Sequence, residues 1–106
     1  MTKRFATVLA VGVVALAAWA SAAPAPRTLD IQHFKFLPPT VTIAPGTTVT
    51  WVNHDEETHT VMSSTGSFAS AALEHEQTFN HTFAAPGTYT YFCALHPLMR
   101  ATVVVK

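Results

Sequence analysis

Apolar and polar residues alternate in short runs rich in β-branched and aromatic side chains, and past the N-terminus no stretch sustains a 3.6-residue apolar period. The clearest run is Thr47 to Val52. There Val49 and Trp51 share one face while Thr48, Thr50 and Val52 share the other, as in a half-buried strand. Read the same way, strands are predicted over Thr28–Phe34, Thr40–Ala44, Thr47–Val52, Thr58–Met62, Gln77–Phe83, Thr88–Phe92 and Ala101–Lys106. Pro45-Gly46 and Pro86-Gly87 suit type II turns, with proline fixing the first φ and glycine accepting the positive second one. Residues 63–76 carry the weakest signal and read as a helical turn or a plain loop. Short strands joined by such turns predict an all-β fold, a Greek-key β-sandwich of about seven to eight strands.

The N-terminus follows a different pattern. Lys3 and Arg4 precede an apolar run from Phe5 to Ala20, and Ala20-Ser21-Ala22 closes it with small residues, the layout of a secretory signal peptide. The run is 16 residues long, short of the roughly 20 needed to span a bilayer. Residues 1–22 are therefore expected to be removed on export to the periplasm. Residues 23–27, with two prolines, read as an extended linker, and residues 28–106 as one domain. Without residues 1–22 the chain keeps four Lys or Arg against six Asp or Glu, near −2. That balance leaves no basic footprint for nucleic acid and no cationic helix for a membrane surface, so no membrane insertion is expected after signal removal.

Export permits disulfides, yet Cys93 is the only cysteine and has no internal partner. A domain this small without covalent staples has a marginal core, and a bound metal is one of the few remaining ways to stabilise it. The segment Cys93-Ala94-Leu95-His96-Pro97-Leu98-Met99 places a thiol, an imidazole and a thioether at steps of three within one loop. Alone, a buried Cys is usually an inert small hydrophobe and a Met is core filler. Together they favour copper, and two imidazoles with a thiolate and a weak axial thioether make the blue-copper donor set. The second imidazole must come from elsewhere, and His59, just after the acidic turn Asp55-Glu56-Glu57, is the best candidate. One end of a sandwich gathers loops from several strands, so His59 can meet Cys93 there.

The segment Val49-Thr50-Trp51-Val52-Asn53 with His59 after it, the run from Phe83 to Cys93, and the closing Cys93-x-x-His96-x-x-Met99 resemble the cupredoxin family of type 1 blue copper proteins. The resemblance extends over nearly all of residues 28–106. It implies a copper ion bound by His59 and His96 through Nδ1, by Cys93 through its thiolate and by Met99 through a longer axial bond. Thr60 stands where many relatives carry Asn; the family's backbone N–H contact to the cysteine sulfur survives that change.

The expected function is single-electron transport by a soluble monomer, not enzymatic catalysis, between a redox protein donor and acceptor. These would dock briefly at the apolar patch of Leu95, Pro97 and Leu98 around His96. The alternative is a copper carrier or buffer without an electron-transfer role, which would use the same ligands but give up its metal to a partner. The remaining histidines, His33, His54, His75 and His81, read as surface or rim residues, with no spacing that supports a second metal site. His81 alternates with Phe79 and Phe83 and is the one that could face the core. Asp55-Glu56-Glu57 reads as a solvated turn.

Overall fold

The computed structural model describes Gly12 and residues 23–106; apart from Gly12, the expected signal peptide lies outside the described residues. Eight strands form β1 (Arg27–Gln32), β2 (Lys35–Leu37), β3 (Thr40–Ile43), β4 (Thr47–Asn53), β5 (Met62–Ser63), β6 (Thr78–Phe83), β7 (Gly87–Cys93) and β8 (His96–Val105). They make two four-stranded sheets, in the orders β2-β1-β4-β6 and β3-β8-β7-β5. The pairs β1·β4 and β3·β8 are parallel, so the chain crosses between sheets before each is complete. The all-β sandwich read from the alternation is thus the observed architecture, with no helix among the described residues.

The period-two pattern explains which face is buried. In β4, Thr47, Val49, Trp51 and Asn53 point inward in strict alternation, and in β8 so do Met99, Ala101, Val103 and Val105. Trp51 is the hub, packed against Phe68, Phe79, Phe83 and Tyr91 at ring separations of 5.5 to 6.3 Å. Truncating such a side chain costs about 3 to 5 kcal/mol. The Tyr91 hydroxyl and the Trp51 indole N–H are both buried without a hydrogen-bond partner. Burial pushes the Tyr91 pKa up to about 12. The nearby indole offsets part of that rise without reaching hydrogen-bond geometry.

Four local features differ from the sequence reading. The first strand stops at Gln32, because His33 and Phe34 take φ of 55° and 56° and turn the chain back into β2. The stretch Thr58–Met62 is mostly irregular: His59 bridges Leu73, and only Met62 enters β5. The last strand begins at His96 and not at Ala101, so the segment read as a loop is a tight hairpin with Cys93 opposite His96. Gly87, at φ 158°, is nearly extended and opens β7 instead of completing a type II turn. The Pro45-Gly46 turn does form, with Gly46 at φ 89° and the Thr47 amide donating to the Ala44 carbonyl at 3.2 Å.

Candidate metal centre

The end of the sandwich where β4 and β7 finish and β8 begins collects the chemistry. The β7·β8 register jumps there: Phe92 faces Arg100, yet Cys93 faces His96, so Pro97, Leu98 and Met99 bulge out of the ladder. The bulge brings His96 back beside Cys93 and leaves Met99 buried within a short stretch of chain. His59 arrives from the segment after β4, fixed by paired backbone bonds with Leu73 at 3.0 and 2.7 Å. Asn53, fully buried at the end of β4, donates through its amide to the carbonyls of Glu57 and Leu73 at 2.9 Å each, closing the turn that delivers His59.

His59, Cys93 and His96 each present one donor atom, all within 4.8 Å of one another. His59 Nδ1 lies 3.7 Å and His96 Nδ1 3.6 Å from Cys93 Sγ. Metal–nitrogen and metal–sulfur bonds of about 2.0 and 2.3 Å at a trigonal angle separate the two donors by about 3.7 Å, so the three residues fit one ion. The tautomer fits as well. His59 Nε2 is 2.8 Å from Asp55 Oδ2, which accepts its proton and leaves Nδ1 with the lone pair turned toward Cys93. The thiol sulfur accepts from the Thr60 amide at 3.3 Å. The Thr60 hydroxyl in turn accepts from the Ala94 amide at 2.8 Å and ties together the two segments that carry the candidate ligands.

Asp55 and Phe34 are the residues that sequence reasoning missed. Asp55 is not a solvated turn residue like Glu56: its side chain is 12% exposed and accepts from the His33 and Phe34 amides at 2.8 and 2.9 Å. Desolvation opposes its charge, but these bonds and that to His59 prevail and hold its carboxyl below the ordinary carboxylate range. A carboxylate four residues before a candidate histidine was the available signal. Phe34, at the hairpin turn, sets its ring edge-on to both imidazoles, 5.1 Å from His59 and 5.1 Å from His96. No pattern in the chain joins residue 34 to either histidine.

His59 is fully buried and His96 partly exposed. Around His96, Leu95 and Leu98 are exposed, Leu98 at 96%, and Phe34 adds a further 48% exposed aromatic. A shallow hollow lined by Phe34, His96, Pro97, Leu98 and Met99 opens on this face. Of the rim histidines, His81 does turn inward, tilted against Phe68 at 4.8 Å and edge-on to Phe83 at 4.7 Å.

A two-sheet sandwich that gathers two imidazoles about one buried thiol at its end defines a cupredoxin. The chain belongs to the plastocyanin/azurin family of copper-binding proteins, whose family model matches residues 25–106. It is 39% identical over 83 residues to amicyanin from Paracoccus denitrificans, covering 74% of this chain and 63% of that relative's length. Among solved structures it resembles the oxidised P94A mutant of amicyanin, with a TM-score of 0.72, 35% identity and coverage of 82% of this chain and 88% of that one. It also resembles a copper-containing nitrite reductase from Thermus scotoductus SA-01, with a TM-score of 0.73 and 28% identity; the match covers 80% of this chain but 23% of the enzyme. The cofactor is one type 1 copper ion, and the donor chemistry of His59, Cys93 and His96 fits it.

Proposed function

We propose that this protein is a small soluble electron carrier of the periplasm, with copper held by His59, Cys93, His96 and Met99. The observation that carries this reading is the pair of imidazole Nδ1 atoms at 3.7 and 3.6 Å from one buried, amide-bonded thiol sulfur. When bound, the copper supplies a Cu(I)/Cu(II) couple that moves one electron at a time.

The protein's residues supply rigidity and access. Asp55 holds the His59 ring and its tautomer, the Thr60 amide stabilises negative charge on Sγ, and the Thr60–Ala94 link keeps the two halves of the site at fixed separation. A donor set that neither oxidation state can rearrange keeps the cost of each transfer low. His96, at the edge of the site among Leu95, Pro97 and Leu98, is the port for electrons, and the apolar patch favours brief docking of donor and acceptor. An enzymatic role is disfavoured because the matched nitrite reductase is several times longer than this domain. Among the described residues no helix is long and apolar enough to cross a membrane.

Loading the purified protein with Cu(II) tests the assignment. An intense thiolate-to-copper band is expected, and it should vanish in Cys93→Ser, whose hard hydroxyl cannot replace the soft sulfur. Persistence of the band in that variant would overturn the site. Repeated reduction and reoxidation in the presence of a Cu(I) chelator separates the two functions: a carrier of electrons retains its copper through the cycles, whereas a carrier of copper surrenders it.

A further inference from the structure

The two imidazoles of the metal centre are held in unequal ways. His59 is fully buried, and Asp55 Oδ2 fixes its Nε2 at 2.8 Å. His96 is partly exposed and has no counterpart of Asp55. Among the described residues its ring has one contact in hydrogen-bond range, Nδ1 to Cys93 Sγ at 3.6 Å. The second side-chain torsion of a histidine is soft, so a ring at the first position of β8, beside a register jump, swings unless something packs against it. Its aromatic neighbours are His59 and Phe34, at ring separations of 5.0 and 5.1 Å. The third side of this triangle, Phe34 to His59, is also 5.1 Å, and all three contacts are edge-to-face. That is an attractive arrangement for aromatic rings.

The backbone of Phe34 is strained to reach this place. Its φ of 56° is uncommon for a bulky residue, and its ring stays 48% exposed, so neither backbone preference nor core burial accounts for the conformation. Strain of this kind persists where surrounding groups impose it. Here Asp55 imposes it: Oδ1 accepts the His33 amide at 2.8 Å and Oδ2 the Phe34 amide at 2.9 Å. Oδ2 is also the oxygen that holds His59. One carboxylate oxygen therefore sets the His59 ring directly and, through the turn, the ring that lies against His96.

We propose that Phe34 is the positioning residue for His96, achieving by edge contacts what Asp55 achieves for His59 by a hydrogen bond. This role rests on the copper ligation proposed above and adds to it the device that keeps the more exposed ligand in place. A side chain that only sheltered the site from water could be any apolar group of similar size. A positioning ring must offer a face and an edge in the right orientation, so an aromatic replacement succeeds where an aliphatic one fails.

The test compares copper-loaded Phe34→Leu, Phe34→Tyr and the parent at one neutral pH. In the reduced, diamagnetic form the His96 ring proton resonances should broaden in Phe34→Leu, while those of His59, still held by Asp55, stay sharp. Competition with the Cu(I) chelator bicinchoninate should show an affinity about tenfold weaker than the parent's. Phe34→Tyr should match the parent in both. Methyl resonances of the buried Val49 and Val103 report that each variant is folded, and Phe34→Ile replaces the leucine variant if that one is not. Leucine behaving as the parent, His59 broadening as much as His96, or tyrosine behaving as leucine would each overturn the proposal. Should the parent take up no copper, the function proposed above fails. The same ring resonances in the metal-free chain, whose donors already stand 3.6 and 3.7 Å apart, then decide the role of Phe34 by themselves.

Discussion

The Thr60 hydroxyl accepts a hydrogen bond from the Ala94 amide at 2.8 Å, while the Thr60 amide, on the same residue, donates to Cys93 Sγ at 3.3 Å. One residue therefore performs two tasks, bracing the β7–β8 hairpin through its side chain and supporting the thiolate through its backbone. Thr60→Val keeps the shape and the amide bond to sulfur but removes the acceptor for Ala94, together with the hydroxyl's long 4.0 Å contact to Cys93 Sγ. Stability should fall by about 1 kcal/mol, the usual worth of one hydrogen bond. The thiolate-to-copper band should persist with altered position or width. Denaturant unfolding and absorption spectra check both; a variant matching the parent in both would mean that the hairpin is braced elsewhere.

Phe34 combines an aromatic ring against both imidazoles with a backbone in the left-handed region, at φ 56°. Removing the ring and relieving the backbone have opposite effects, and two substitutions resolve them. Phe34→Ala loses the ring contacts and keeps the strain, whereas Phe34→Gly loses the same contacts and relieves it. The glycine variant should be the more stable of the two by about 1 kcal/mol. Equal unfolding midpoints, or a more stable alanine variant, would contradict this.

Tyr91 buries a hydroxyl that has no partner. An unsatisfied buried polar group costs stability that a shape-matched apolar group does not. Tyr91→Phe is therefore expected to be at least as stable as the parent, with a gain on the order of 1 kcal/mol. A clear loss of stability in thermal and denaturant unfolding would show that the hydroxyl has a bonding role after all.

His81 provides a pH-dependent term. Desolvation among Phe68 and Phe83 lowers its pKa from the ordinary 6.5. Between that value and the lowered one, the unfolded chain binds more protons than the folded one. The stability linked to neutral His81 is thus fully present above 6.5 and is lost as pH falls toward the folded-state value. His81→Phe removes this contribution. Plotted against pH from neutral to mildly acidic, the unfolding free energy of the variant should fall less steeply than that of the parent, and parallel curves would refute the assignment.

The alternation in β3, β4, β6 and β7 made those strands legible in the sequence, because each buries one face and exposes the other. The hairpin that carries the proposed ligands was legible as candidate chemistry but not as structure. Cys93, His96 and Met99 announce themselves by donor type, while the strand pairing of His96 depends on a register jump that no local propensity encodes. The turn at His33-Phe34 was hidden for a similar reason. Phe34 does not favour positive φ and His33 only tolerates it, and the conformation is held by Asp55, which accepts both amides from across the domain. Asp55 itself was obscured by its neighbours, since one half-buried carboxylate in an acidic run looks like the solvated ones beside it.

The strand order has a consequence for when the site can exist. The strand β8 is interior to its sheet, flanked by β3, which precedes it by some sixty residues, and by β7. That sheet cannot close until residues 96–105 have been synthesised, and its long-range pairing is intrinsically slow. His59 waits on one side of the chain for donors that arrive among the last strands to be made. A chain threaded through a membrane in an unfolded state would therefore carry its proposed copper ligands across before folding brings them together. On the proposed reading of an exported carrier, metal selection would fall to the compartment in which the final strand docks, so that the order of assembly, in addition to the donors themselves, would govern which ion the protein meets first.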